Sequence, residues 1–175
     1  MIVDEIAKNI ARIQETCDWM GDTTSGSAYL APYDGLVKII GAASPVTASS
    51  STFNSTNART IVKNILNNIP AALKGDPEVV IVMGYDAAEI YRQALMDANL
   101  FHVVAGSTAT ELMAEGSNIK IVPLHGLDGR YSVSGAACIF AFKWSNIFMG
   151  VDLEGEEDVV KMWLDGSDME TVKYR

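Results

Sequence analysis

Basic residues are scarce in this chain and nowhere clustered. Thirteen Lys and Arg stand against 22 Asp and Glu in 175 residues, a formal charge of −9. Phosphate recognition needs grouped Lys and Arg. The nearest approach is the pair Lys173 and Arg175, so nucleic acid is excluded as the main ligand. Cysteine is nearly absent. Cys17 and Cys138 are too few for a disulfide framework or a four-Cys zinc site. One bridge between them stays open, with two buried thiols in a reducing compartment as the default reading. Long apolar runs are missing too. Val79–Met83 and Ala136–Phe142 are far too short to span a bilayer, and Met1-Ile2-Val3-Asp4-Glu5 has neither the basic start nor the apolar run of a signal peptide. The sequence therefore predicts a soluble protein. Histidine is limited to His102 and His125, neither of them in a recognisable motif.

What the chain does hold is core material. Hydrophobic residues make up 49% and charged residues 20%, which excludes global disorder and suits one domain or two small lobes. Ile2, Ile6, Ile10, Ile13, Cys17 and Met20 recur at helical spacing and predict an amphipathic helix over 2–20. Gly21 stops it, and 22–27 is a small polar loop. Pro32-Tyr33-Asp34-Gly35 is a turn before the short apolar segment Leu36–Ile40. Residues 43–56 are Ser/Thr/Ala-rich and read as an exposed excursion, with the sequon Asn54-Ser55-Thr56 inside it. A second helix opens near Thr56 or Asn57, carries Ile61, Ile65, Leu66 and Ile69, and falters at Pro70. Val79–Met83 is a buried strand. After Gly84, Asp86 and Glu89 stand as the N-cap and N3 residues of a capping box, opening a helix with Ile90, Ala94 and Leu95 on one face. Ile119–Val122, Ala136–Phe142 and Ile147–Val151 are strand candidates. Met162 and Leu164 alternate with Lys161 and Trp163, and Val172 and Tyr174 with Thr171 and Lys173, around the turn Asp165-Gly166. That last strand ends at Arg175 without a polar tail, and the sequence reads as a segment of a longer chain. Helix, helix, strand, helix and then mostly strands is not the regular alternation of a doubly wound sheet, so the expected class is α+β.

Sites for chemistry are few, and each has a plainer reading. No Gly-x-Ser-x-Gly is present, and Gly26-Ser27 sits in a flexible loop without a neighbouring base. The two histidines read as loop or partly buried residues. Asp152, Glu154, Glu156, Glu157 and Asp158 resemble the opening of a calcium loop, but the sixth position, which needs Gly, is Glu157. A solvated acidic turn is the stronger reading. Gly21–Ser27 lacks the Gly-Lys-[Ser/Thr] ending of a P-loop and follows a helix instead of a strand. Met83-Gly84-Tyr85-Asp86 has one Gly where a dinucleotide fingerprint needs three, and Asp86 would repel phosphate. No catalytic residue, metal ligand or cofactor is therefore assigned. Of the tryptophans, Trp19 lies beside the stripe of the first helix, and Trp163 lies opposite Met162 and Leu164. Both are candidate subunit-interface residues, with core burial as the competing account.

The order of these elements resembles the major capsid protein of tailed bacteriophages and prophages, the Hong Kong-type capsid fold. Five segments carry the likeness. Ile6–Ser25, with Trp19-Met20-Gly21-Asp22-Thr23-Thr24, is similar to the end of the long spine helix and its "GD-T" loop. Tyr33-Asp34-Gly35-Leu36 is similar to the "DGL" segment after it. Asn57–Phe101 resembles the helix–strand–helix unit of the axial domain, and Ile119–Pro123 its "PVVP"-type strand. Ser145–Tyr174 resembles the return into the peripheral domain.

The resemblance implies three parts. Residues 1–27 would be the end of the spine helix and the loop after it, in the peripheral domain; 28–150 the axial domain; 151–175 truncated return strands of the peripheral domain. The N-terminal arm and extended loop of the family have no counterpart in this sequence. It also implies a structural, non-enzymatic role: a shell subunit that self-assembles into hexamers and pentamers around packaged DNA held without sequence reading. The other phage structural proteins would be its partners, and the virion its location after assembly in the bacterial cytoplasm. No membrane, metal or nucleotide enters this picture. Two other readings remain beside it. One is the shell of an encapsulating nanocompartment, which shares the fold. The other is an intracellular α/β ligand-binding domain or enzyme, resting on the strand–Gly–helix at 79–96. On the capsid reading the first helix is an exposed, amphipathic spine that packs on the C-terminal strands through the Val160–Leu164 face.

Overall fold

The computed structural model describes residues 2–48, 51–100, 111–129, 139–148, 150, 162–164 and 172–174. The class is α+β: helices α1 (Ile2–Met20), α2 (Leu36–Ala42), α3 (Ala58–Asn68) and α4 (Tyr85–Asp97), with strands β1 (Val79–Met83), β2 (Lys120–Pro123), β3 (Ile139–Lys143), β4 (Met162–Leu164) and β5 (Val172–Tyr174). The chain divides into two compact units, Met1–Trp144 and Ser145–Arg175. The first unit thus takes in residues 1–27 together with the 28–144 segment.

In the first unit the sheet order is β2-β1-β3. β1 runs parallel to β2, with Val80 opposite Lys120, and antiparallel to β3, with Ile81 opposite Ala141. β1 is buried except at half-covered Val80, because it is the central strand and both faces are covered. Side chains alternate between those faces. Val79, Ile81, Met83, Ile121, Ile139 and Ala141 meet α3 and α4 through Ile61, Val62, Ala87, Tyr91 and Leu95. Val80, Val82, Val122, Phe140 and Phe142 face Trp19, Leu36, Val37 and Leu127. Ile61, Ile65, Leu66 and Ile69 of the α3 stripe all reach the first of these cores, as their spacing predicts.

Tyr91 is fully buried, and its hydroxyl accepts the Glu115 N–H at 2.9 Å. Burial pushes its phenol above the ordinary range. Glu115 in turn takes two 2.8 Å bonds from the Arg59 guanidinium of α3. Tyr91→Phe removes the acceptor and strands that N–H, at about 1 kcal/mol. Urea unfolding is expected to show a lower midpoint with an unchanged slope.

Several elements differ from the sequence expectation. Leu36–Ile40, read from sequence only as a short apolar segment, forms most of α2. Phe53, inside the supposed excursion, is 1% exposed and belongs to the core, while 43–47 is exposed as expected. The capping box does not form. α4 starts at Tyr85, one residue before Asp86, and Glu89 pairs with Arg92 instead of reaching back. The tethers at that helix start come from a distant turn: Asp128 accepts the Tyr85 N–H at 2.6 Å and Asp86 accepts the Gly129 N–H at 2.5 Å. Ile147, Phe148 and Gly150 carry no strand, while Met149 and Val151 lie outside the described residues.

In the second unit β4 and β5 form an antiparallel pair, with Trp163 opposite Lys173. The acidic run 152–158 and the turn 165–166 lie outside the described residues, as do His102 and Cys138.

Candidate functional site

Among the described residues, two polar clusters and one helix face are the candidates for a site, while Lys143 between Asp76 and Glu78 forms a further surface ion-pair group. The first polar place is the loop after α1. Gly21 and Gly35 lie back to back, and the Gly35 N–H donates to the Gly21 carbonyl at 2.8 Å. Neither position admits a side chain. A Cβ on Gly35 would lie 2.5 Å from the Gly21 nitrogen and 2.7 Å from the Trp19 carbonyl oxygen; one on Gly21 would strike the Tyr33 and Cys17 carbonyl oxygens. Around this contact Asp34 accepts the Thr23 N–H and hydroxyl, both at 2.8 Å. Asp22 accepts the Thr24 N–H at 2.9 Å and its hydroxyl at 2.6 Å. The Lys38 ammonium bridges Asp22 and Asp34 at 2.7 Å each. The Tyr33 hydroxyl donates to Asp18, and the Cys17 thiol to the Tyr29 carbonyl at 2.6 Å. Thus Gly21-Asp22-Thr23 and Tyr33-Asp34-Gly35, far apart in sequence, interlock.

The charges explain the titration behaviour of this loop. Hydrogen bonds from Lys38, then from the threonines, hold the Asp22 and Asp34 carboxyls well below the usual range. Bonds from the same two carboxylates raise the Lys38 ammonium. Depressed carboxyl values favour the folded state above the ordinary carboxylate range, and that contribution is lost only as the pH falls through the lowered values. The network therefore persists through mildly acid conditions. Burial, then the Asp18 carboxylate, pushes Tyr33 up, and burial does the same for the Cys17 thiol. A raised thiol pKa makes Cys17 an inert structural cysteine.

The second polar place is at the C-terminal ends of the parallel strands β1 and β2. His125 Nδ1 lies 2.9 Å from Asp128 Oδ2, and its ring stacks on Tyr85 at 4.2 Å. The Gly126 N–H donates to Glu15 of α1 at 3.1 Å. A Cβ on Gly126 would lie 2.7 Å from Trp19 Cδ1, so glycine lets α1 sit directly on this turn. The bonds here go to backbone groups and helix starts. They fasten the β1–α4 turn, the β2 end and α1 to one another, and the arrangement is a latch. Among the described residues no group of three or more His, Cys, Asp or Glu is placed to hold a metal ion, and no helix is long and apolar enough to cross a membrane.

The apolar feature is α1 itself. At about 100° per residue, Asp4, Glu5, Lys8, Arg12, Glu15 and Asp18 all fall in one half of the helix circumference. Ile6, Ala7, Asn9, Ile10, Ile13, Gln14 and Thr16 fill the other half without a charge. Trp19 and Glu15, which meet the sheet side and Gly126, belong to the charged half. The isoleucine stripe therefore points away from the sheet of its own unit. Ile6 is 38% and Ile13 50% exposed.

Trp19, expected as a subunit-interface residue, is only 6% exposed. It packs on Val82 and Leu127, with its ring 6.3 Å from those of Phe140 and Phe142. Burial within its own chain leaves little of it for a neighbour, which corrects that assignment. Trp163 lies in β4, and the surroundings of its side chain fall outside the described residues. Lys38 and Asp128 were missed from sequence. The first had a signal, its i,i+4 spacing from Asp34 just ahead of α2; the second, a cap supplied from 43 positions away, had none.

No family model matches this chain, and comparison with curated proteins and with solved structures returns no match.

Proposed function

We propose that this chain is a shell subunit of the tailed-phage and prophage capsid type, which associates with copies of itself into capsomers and encloses DNA without reading its sequence. The observation that carries the reading is the uncharged half of α1, turned away from the sheet that the same helix anchors to through Trp19. Exposed isoleucines on a helix face that the chain's own sheet leaves uncovered favour a protein–protein contact. The interlock of Gly21-Asp22-Thr23 with Tyr33-Asp34-Gly35 adds support, because those two segments also carry the capsid resemblance. The other phage structural proteins are its expected partners. A nanocompartment shell would present the same surfaces; neighbouring genes for portal, protease or tail proteins separate the two.

The competing ligand-binding or enzyme reading has one observation in its favour. His125 and Asp128 sit where open α/β sheets commonly bind ligands, beyond the carboxyl ends of parallel strands. Light scattering over a range of concentrations and salt conditions tests the proposal. A stable interface usually buries about 1,200–2,000 Å² in total. The expected result is megadalton particles under conditions that favour association. A protein that stays monomeric under those conditions, together with a metabolite that raises the thermal midpoint by several degrees, puts the ligand-binding reading in its place.

A further inference from the structure

We propose that the interlocked segment 21–38 is a clamp that fixes the direction in which α1 leaves the core, and that opening it lets α1 pivot about Trp19 while the sheet stays folded. The last turns of α1 are gripped from two sides. On one side Trp19 is sunk among Val82, Leu127 and the β3 phenylalanines, and Glu15 holds the Gly126 N–H. On the other, Cys17 reaches the Tyr29 carbonyl, Asp18 takes the Tyr33 hydroxyl, and Gly21 is bonded to Gly35. Cys17 and Trp19 lie about 200° apart around the helix, so the two grips oppose each other. Two opposed grips define a direction, whereas either alone leaves a pivot.

The clamp is closed at its base by the glycine pair, where any Cβ would meet backbone on the other strand of the loop. At its rim it is closed by Lys38 between Asp22 and Asp34. Beyond the grips, residues 4–14 are exposed apart from the half-covered Ile10. That free stretch acts as a lever. At 1.5 Å per residue it extends roughly 17 Å, so a 20° change at the clamp moves the tip by about 6 Å. The inference concerns the fold and holds whether or not the shell reading does.

Pulsed electron paramagnetic resonance can measure it directly, with spin labels on azide-bearing amino acids at the exposed positions Asn9 and Gln93, which leaves the native cysteines untouched. The parent chain is expected to give one narrow distance distribution. Gly35→Ala, which wedges the loop from α1, should broaden it by about 5 Å. Lys38→Met, and about 1 M salt on the parent, should broaden it less, because exposed ion pairs are individually weak and screened. Cooperative melting by circular dichroism should persist in both variants. A Gly35→Ala distribution that superimposes on the parent's overturns the proposal. If Gly35→Ala no longer melts cooperatively, Lys38→Met decides: broadening with the core intact supports the clamp, and an unchanged width or a lost core overturns it.

Discussion

Replacing Trp19 with alanine should lower the unfolding free energy by about 3–5 kcal/mol, the range for truncating a buried large aromatic. The cost has an identifiable origin. Trp19 is the side chain through which α1 closes the second face of the sheet, against Val82, Leu127, Phe140 and Phe142. Alanine would leave a cavity between a helix and a three-stranded sheet, neither of which can collapse far. Gly126 contributes to the same junction, since even a Cβ there would meet Trp19 Cδ1 at 2.7 Å. Trp19→Phe, which keeps a ring in place, should recover part of the loss. Urea titration followed by far-ultraviolet circular dichroism measures both. A Trp19→Ala midpoint equal to the parent's would mean that this ring is available to a neighbouring subunit after all.

The second large effect is expected in assembly, with little change in the fold. Ile6→Asp with Ile13→Asp should leave the stability of this chain within about 1 kcal/mol of the parent, because surface substitutions away from special features cost little. Helical periodicity alone leads one to expect several kcal/mol for Ile10→Asp, as for a charge buried in a core. Ile6 and Ile13 are exposed, so at those two positions the expectation does not apply: the charge would stand in water. In an assembled particle the same charges would be buried unpaired, at several kcal/mol per contact. Each 1.4 kcal/mol is a factor of ten in association, so the assembled fraction of the protein should fall at least tenfold. Sedimentation velocity reads it. Normal assembly of the doubly substituted protein would show that this face of α1 stays exposed in the particle.

The parts of the fold written in local periodicity were legible. α3, β1 and the β4–β5 pair follow from apolar spacing and flanking breakers. α1 was legible as a helix, but the direction of its stripe was not. Amphipathicity says that one face will be covered and not by what; here the sheet takes the Trp19 side, although that side carries every charged residue of the helix. α2 was missed because Leu36-Val37-Lys38-Ile39-Ile40 is too short and too rich in β-branched residues to announce a helix. The α4 cap was misassigned because Asp86 and Glu89 match a local pattern, whereas the tethers come from Asp128 and Gly129, beyond the next strand. The glycine interlock behaved in the same way. Gly21 and Gly35 were readable as turn residues, while their contact is a tertiary fact.

The central claim is that this chain builds a closed shell, and electron microscopy of the protein tests it most directly. The account predicts hollow, regular particles of uniform diameter, with capsomers visible in averaged images. They should be lost when Ile6 and Ile13 are both replaced by Asp, in a protein that still folds. Fields containing only isolated molecules, at concentrations and salt conditions that favour association, would contradict it.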